Sequence, residues 1–225
     1  MISVALDRYD RHMPFFDGTV ALPAGLKELN VLQVGQHGAL RDGSYRHERM
    51  LRDGEFDAAE TSLASYIVAR SRGLPFTAIP VFPRRLFSQG QIFVHVRSGI
   101  EKPADLEGRI VGLQSFQTTL AVLAKGDLAT EYGVSLRDIK WHVHNADTVE
   151  IDHNPDFDIA PVSDGKKLPE MLCNGEIDGT RRSNAEFRSD TLGILESCSI
   201  VFEYERQSDS TEFDTFPGRE IADAR

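Results

Sequence analysis

The sequence predicts an α/β protein, and three observations carry that prediction. Residues 103–134 read as a short helical turn, an apolar strand (I-V-G-L), a polar turn and a helix in direct succession. Residues 54–73, G-E-F-D-A-A-E-T-S-L-A-S-Y-I-V-A-R-S-R-G, repeat the strand–polar turn–helix order. The phrase G-E-F-D-A at Gly54–Ala58 returns as G-E-I-D-G at Gly175–Gly179, and each follows a helical segment. Strands alternating with helices are the pattern of a largely parallel sheet covered by helices.

Taken in order, Ile2–Leu6 is a first strand and Asp7–Gly18 a loop dense in charge and aromatic rings. Leu29–Val34 alternates as a second strand, Gly35–Gly43 is glycine-punctuated, and Tyr45–Arg52 is a charged helix. Phe56–Ala59 reads as a short buried strand, Glu60–Ser62 as a turn and Leu63–Ala69 as a helix stopped by Gly73. Pro75, Pro80 and Pro83 exclude a long central strand from Leu74–Pro83. Ile92–Val96 is a clear strand. Pro103 opens a helical turn, since its missing N–H is one the first turn leaves unpaired. Arg109–Leu113 follows as a strand and Thr119–Tyr132 as a helix, with Leu120, Leu123, Leu128 and Tyr132 placed on one face and Gly133 as the stop. Ile139–His144 alternates as a strand, Asp147–Asp158 is an acidic loop, and Lys167–Asn174 is a helix. From Ser208 onward apolar periodicity fades.

Candidate functional residues lie where strands hand over to helices. A helix start leaves free backbone N–H groups, and the helix dipole favours an anion there. Ser115, Gln117, Thr118 and Thr119 add uncharged donors at one such turn, and Ser62 and Ser65 do so at the other. The competing account is that Ser115 or Thr118 simply caps its helix. Tyr9, Asp10, Arg11 and His12 follow the first strand, where open α/β sheets hold ligands, although a plain surface loop reads the same way. Arg84 and Arg85 are a source of fixed positive charge, either a bidentate carboxylate anchor or a solvated pair. His142 and His144 share a strand face but lack a third ligand, so no metal and no other cofactor is expected.

The chain has 225 residues, 40% hydrophobic and 27% charged, room for one large or two small domains. A net charge of −10 speaks against nucleic acid or an anionic membrane surface as partner. Cys173 and Cys198 are the only cysteines and do not form a metal-type spacing. Met1 is followed at once by I-S-V-A-L-D rather than by a secretion leader, and no apolar run reaches membrane-span length, so a cytoplasmic protein is expected.

The phrases Y-D-R, G-E-F-D-A-A-E-T-S-L-A-S-Y, A-I-P-V-F-P-R-R and K-P-A-D-L-E-G-R-I-V-G together resemble the 4,5-dihydroxyphthalate decarboxylase family, over most of the chain from Ile2 to about Pro217. D-L-E-G-R-I-V-G alone is shared by many solute-binding proteins; the other phrases are more specific. The resemblance implies the periplasmic-binding-protein type II fold, two α/β lobes with a ligand cleft between them. It divides the chain into lobe 1 (residues 1–95), lobe 2 (96–200) and a hinge return with a truncated tail (201–225), with hinge strands near Phe93–Arg97 and Ile200–Tyr204. It implies that Asp10, Arg11, Glu60, Ser62, Ser65, Arg85, Gln117 and Thr118 line the cleft.

The activity implied is that of a carboxy-lyase in phthalate degradation and aromatic catabolism, converting 4,5-dihydroxyphthalate or a relative to protocatechuate and CO2. Such a reaction needs a proton for the ring carbon, with Asp10, His12 and Glu60 as candidate donors. It also needs a drying site that holds the carboxylates, with Arg11, Ser62, Ser65, Arg85, Ser115, Gln117 and Thr118 as candidate ligands. The alternative is a solute-binding protein of the same fold, of transporter or cytoplasmic type, that holds a carboxylate without chemistry. The expected partners are a small aromatic carboxylate and, at most, further copies of the chain. The sequence departs from the family in three places. His12 stands where Y-D-R usually continues with Thr, Ser88-Gln89-Gly90 stands where R-H-S is frequent, and members run on past the F-P matching Phe216-Pro217. By that comparison the chain is C-terminally truncated, Ile79, Val81, Phe82 and Phe93 are expected to be partly exposed, and activity is expected to be weak.

Overall fold

The computed structural model describes residues 1–34, 46–83, 92–181 and, for the backbone alone, 198–200. Its elements run β1 (Ile2–Leu6), a 3-10 turn (Asp10–His12), α1 (Met13–Phe16), β2 (Leu29–Gln33), α2 (Arg46–Leu51), β3 (Ala58–Ala59) and α3 (Leu63–Ser71). They continue with β4 (Ile92–His95), a 3-10 turn (Pro103–Leu106), β5 (Ile110–Leu113), α4 (Thr119–Thr130), β6 (Lys140–Val143), β7 (Asp158–Pro161), α5 (Leu168–Cys173), β8 (Gly179–Arg181) and β9 (Cys198–Ile200).

These elements form two sheets. The smaller is parallel with order β2-β1-β3, and the larger has order β7-β6-β5-β8-β4-β9. Within the larger sheet β7, β6, β5 and β8 are parallel, and β4 runs antiparallel to both β8 and β9. β4 and β9, near the two implied hinge crossings, pair directly through Phe93 and Ile200. Ile92–His95, assigned to lobe 1 by the division at residue 95, hydrogen-bonds into the larger sheet.

The larger lobe holds the main core. Ile92, Val94, Leu106, Val111, Leu113, Leu128, Ile139 and Trp141 form one buried cluster, and Phe93, Leu168, Met171, Leu172 and Ile177 form another on the opposite side. Gly112 eases this second layer: a Cβ there would sit 2.6 Å from Leu168 Cδ2 and 2.8 Å from Ile177 Cδ1, so any other residue would push these side chains of α5 and its following turn aside. Gly133 ends the α4 region in the left-handed region, φ 66°, which a side chain resists. The smaller sheet has a lesser core, centred on Ala5, Val34 and Phe56.

Several expectations change. The buried face of α4 carries Ala121, Ala124, Lys125 and Leu128, spaced i, i+3, i+4 and i+7, while Leu123 and Tyr132 are exposed. Ala121, Ala124 and Leu128 on this face pack into the main core of the larger sheet. The loop after β1 is not irregular: it holds a 3-10 turn and α1, which Pro14 opens. The buried strand expected at Phe56–Ala59 shrinks to Ala58–Ala59, with Phe56 supplying the burial and Ala58 exposed. β7 lies at the end of the acidic loop and carries too few apolar residues for alternation to reveal it. Ile79, Val81 and Phe82 are exposed, but Phe93 is buried, because β8 and β9 cover β4 on both edges and α5 packs on its face. Arg84 and Arg85, Gly35–Gly43 and the segment from Ser208 lie outside the described residues.

Candidate active site

In both sheets the chain reverses its winding direction at one point: between β1 and β3 in the smaller, between β5 and β8 in the larger. The crevice outside the carboxyl ends of strands at such a switch point is where open α/β sheets bind ligands. In the smaller sheet these ends deliver Asp7 and Glu60, and in the larger they deliver the Gln114–Thr118 turn and Arg181.

At the smaller sheet the organising residue is Arg46, 1% exposed. Its Nε donates to the Glu60 carbonyl at 2.7 Å, its Nη2 to Glu60 Oε2 at 2.9 Å, and its Nη1 to the Val34 carbonyl. Nη1 also lies 3.9 Å from Asp7 Oδ2. One guanidinium therefore joins the residues that follow β1, β2 and β3. A buried guanidinium persists only when such partners satisfy its fork. His12, also buried, places Nδ1 2.7 Å from the Asp7 carbonyl. A carbonyl can only accept, so Nδ1 carries the proton and Nε2 is left as the other functional nitrogen. Asp10 and Arg11 are exposed on the 3-10 turn, with the Arg11 guanidinium 4.6 Å from the centre of the Tyr9 ring.

At the larger sheet the turn before α4 meets the loop after β6. Asp147 Oδ1 accepts from Ser115 Oγ at 2.7 Å and from the Gln117 backbone N–H at 2.9 Å, so the chain's own carboxylate sits at the α4 start. Asp147 Oδ2 lies 2.9 Å from His153 Nε2. The Gln117 side chain spans the Val149 backbone, Nε2 donating to its carbonyl at 2.8 Å and Oε1 accepting its N–H at 3.1 Å. Thr118 Oγ1 caps α4 through Ala121 N–H, and Ser62 Oγ caps α3 through Ser65 N–H. Ser65 itself is buried. Beneath the turn, Lys125 Nζ donates to the Phe116 carbonyl at 2.8 Å and lies 2.9 Å from the centre of its ring; burial pulls its pKa from 10.5 down to about 7, against the raising influence of Asp147.

The two helix starts touch. Ser62 Oγ and Thr119 Oγ1 are 2.9 Å apart, and the Ala64 N–H donates to Thr119 Oγ1 at 3.1 Å. The structure thus joins the α3 start, through Ser62 and Ala64, to Thr119 at the α4 start, with Asp10, Arg11 and His12 on the loop after β1. Arg85 lies outside the described residues. Arg46, Asp7, Asp147 and Arg181 escaped the sequence reading. Asp7 alone had a visible signal, as the first residue after a strand. His144 bonds Asn145 and the Lys166 carbonyl, and among the described residues no group of three His, Cys, Asp or Glu is placed to hold a metal.

Residues 41–164 match the family described as NMT1/THI5 like. The chain belongs to that family. The chain is 31% identical over 185 residues to a 4,5-dihydroxyphthalate decarboxylase of Comamonas testosteroni, covering 79% of this chain and 53% of the relative. A 4,5-dihydroxyphthalate decarboxylase of Pseudomonas putida is 29% identical over 184 residues, covering 79% and 68%. The chain therefore spans about half the length of the first of these relatives. Among solved structures it is similar to the periplasmic aliphatic sulphonate binding protein SsuA from Escherichia coli, with TM-score 0.56, 12% identity, and coverage of 89% of this chain and 59% of that one. The alkanesulfonate-binding protein SsuA from Xanthomonas axonopodis pv. citri, bound to MOPS, gives TM-score 0.55 and 14% identity over 92% and 62%. This NMT1/THI5-like chain has the two-lobed α/β fold of the solute-binding proteins, as the family resemblance implied.

Proposed function

We propose that the protein is a carboxy-lyase acting on an aromatic dicarboxylate, 4,5-dihydroxyphthalate or a close relative, and releasing CO2 to leave protocatechuate. The observation that carries this reading is the 31% identity to a 4,5-dihydroxyphthalate decarboxylase over 185 residues, a stretch that takes in most of the chain. The site is compatible in kind. It combines the buried Asp7 carboxylate, the largely buried Glu60 carboxylate, a backbone-anchored imidazole and two helix starts in contact, and decarboxylation calls for a site that sheds water as the lobes close. The substrate carboxylates fall to Arg85, Arg11 and the α3 start, since Asp147 already fills the α4 start, and Asp10, His12 and Glu60 are the groups available for proton transfer. The enzyme acts without a cofactor, in the cytoplasm.

One observation favours a second reading, a binding protein without chemistry: the solved structures of similar fold bind sulphonates as solutes. Purified protein incubated with 4,5-dihydroxyphthalate separates the two. CO2 release that falls at least about tenfold in Asp10→Asn or His12→Gln supports the enzyme, since general acid catalysis contributes about 10²–10⁴-fold. Tight binding with no CO2 released places the chain among the binding proteins.

A further inference from the structure

Glu60 differs from the other carboxylates of the site in how it is held. Oε2 and the main-chain carbonyl are both committed to Arg46, and the side chain is only 11% exposed. Oε1 makes no hydrogen bond within the described residues. The residue stands two positions before Ser62, whose hydroxyl touches the opposite lobe. Around it, among the described residues, the Arg46 guanidinium faces two carboxylates, Asp7 and Glu60. A substrate carboxylate placed here would meet like charge at low dielectric, which is costly. The group such a carboxylate accepts is an O–H.

We propose that Glu60, positioned by Arg46, accepts a hydrogen bond from a ring hydroxyl of a catechol-type substrate and so selects dihydroxylated ring acids over the bare acids. This rests on the decarboxylase reading and assigns Glu60 a task other than delivering the proton. In 4,5-dihydroxyphthalate each hydroxyl is para to a carbon that bears a carboxylate. As Glu60 draws on the hydroxyl proton, electron density rises at that para carbon, which takes a proton from another group, Asp10 or His12. The carbon–carboxylate bond then breaks, its electron pair returns to the ring, CO2 leaves and the hydroxyl regains its proton. One proton is consumed and one CO2 formed, with no oxidant or reductant. Arg46 is the positioning residue, since its fork fixes which oxygen of Glu60 faces the crevice.

Calorimetry with protocatechuate and benzoate tests this without turnover, because the pair differs only in the two hydroxyls. Wild-type protein is expected to prefer protocatechuate by about tenfold or more, the size of a charge-assisted hydrogen bond. In Glu60→Gln the preference should fall to about threefold or less, while benzoate affinity is kept or improved by removal of the negative charge. Arg46→Lys, which keeps the charge but not the fork, should shrink the same ratio; if that variant does not fold, Glu60→Gln decides alone. An undiminished preference in Glu60→Gln, an equal loss of affinity for both ligands, or no preference in wild type overturns the proposal. A preference that behaves as expected in a protein that releases no CO2 overturns the decarboxylase reading and leaves the recognition role standing.

Discussion

Lys125 shows how one residue ties stability to pH. In the unfolded chain its amine keeps the proton up to about pH 10.5, whereas in the fold burial releases it near pH 7. Between those values the unfolded state binds more protons, so stability rises with pH, by at most about 1.4 kcal/mol per unit. Below pH 7 both states are protonated and the full cost of the buried charge is present. The Asp147 carboxylate favours the charged form and so narrows the pH window over which stability rises. Lys125→Met should therefore flatten the rise in urea midpoint between pH 7 and pH 9.5; parallel profiles for variant and wild type would refute the assignment. At this scale the sequence was least legible. Arg46 opens R-H-E-R-M-L, which reads as a charged, solvated helix, and its burial is decided by Val34, Glu60 and Asp7, which reach it only once three strands are aligned. Asp147 sat in an acidic loop with no spacing to single it out, yet its carboxylate takes up the donors of the Ser115–Gln117 turn, where the sequence suggested a ligand's carboxylate.

At the scale of elements, the handover from strand to helix is a structural device on which the proposed site is built. Thr118 and Ser62 cap α4 and α3, so the capping account and the site account of these residues are not exclusive. Thr118→Ala should lower stability by about 1 kcal/mol, and Thr118→Ser should restore most of it, both measured by urea unfolding. No change in Thr118→Ala would mean that the α4 start is held by the Asp147 carboxylate instead. Most elements were legible because local signals fixed them. Ile2–Leu6 keeps its bounds, the helix start at Thr119 and the strand I-V-G-L stand where periodicity put them, and Pro103 opens its turn. What failed depended on partners. Ala121, Ala124 and Leu128 of α4 are inside because they pack into the core of the larger sheet, and the short strand β7 is held by its pairing with β6.

On the scale of the whole molecule, three consecutive residues after β6 join the lobes. Asp147 and Val149 are bound to the Ser115–Gln117 turn of the larger lobe, while Thr148 and Val149 reach the smaller one. Thr148 Oγ1 donates to Glu48 Oε1 at 3.1 Å, Arg52 Nη2 donates to the Thr148 carbonyl at 3.1 Å, and Val149 packs with Leu51 and Ala69. The helix that receives this strap, α2, also carries Arg46. Closure of the lobes and the setting of Glu60 therefore share one rigid element, and loosening the strap should be felt at the site. A double-mutant cycle measures the contact directly. Glu48→Ala and Thr148→Val should show a coupling of about 0.5–1.5 kcal/mol in unfolding free energy, the range of a hydrogen bond between partly buried groups. Solution scattering of Thr148→Val should give a larger radius of gyration than wild type, as the lobes part more often. Additive single effects together with an unchanged radius would show that the lobes are not joined here in solution, and that Arg46 holds Glu60 independently of closure.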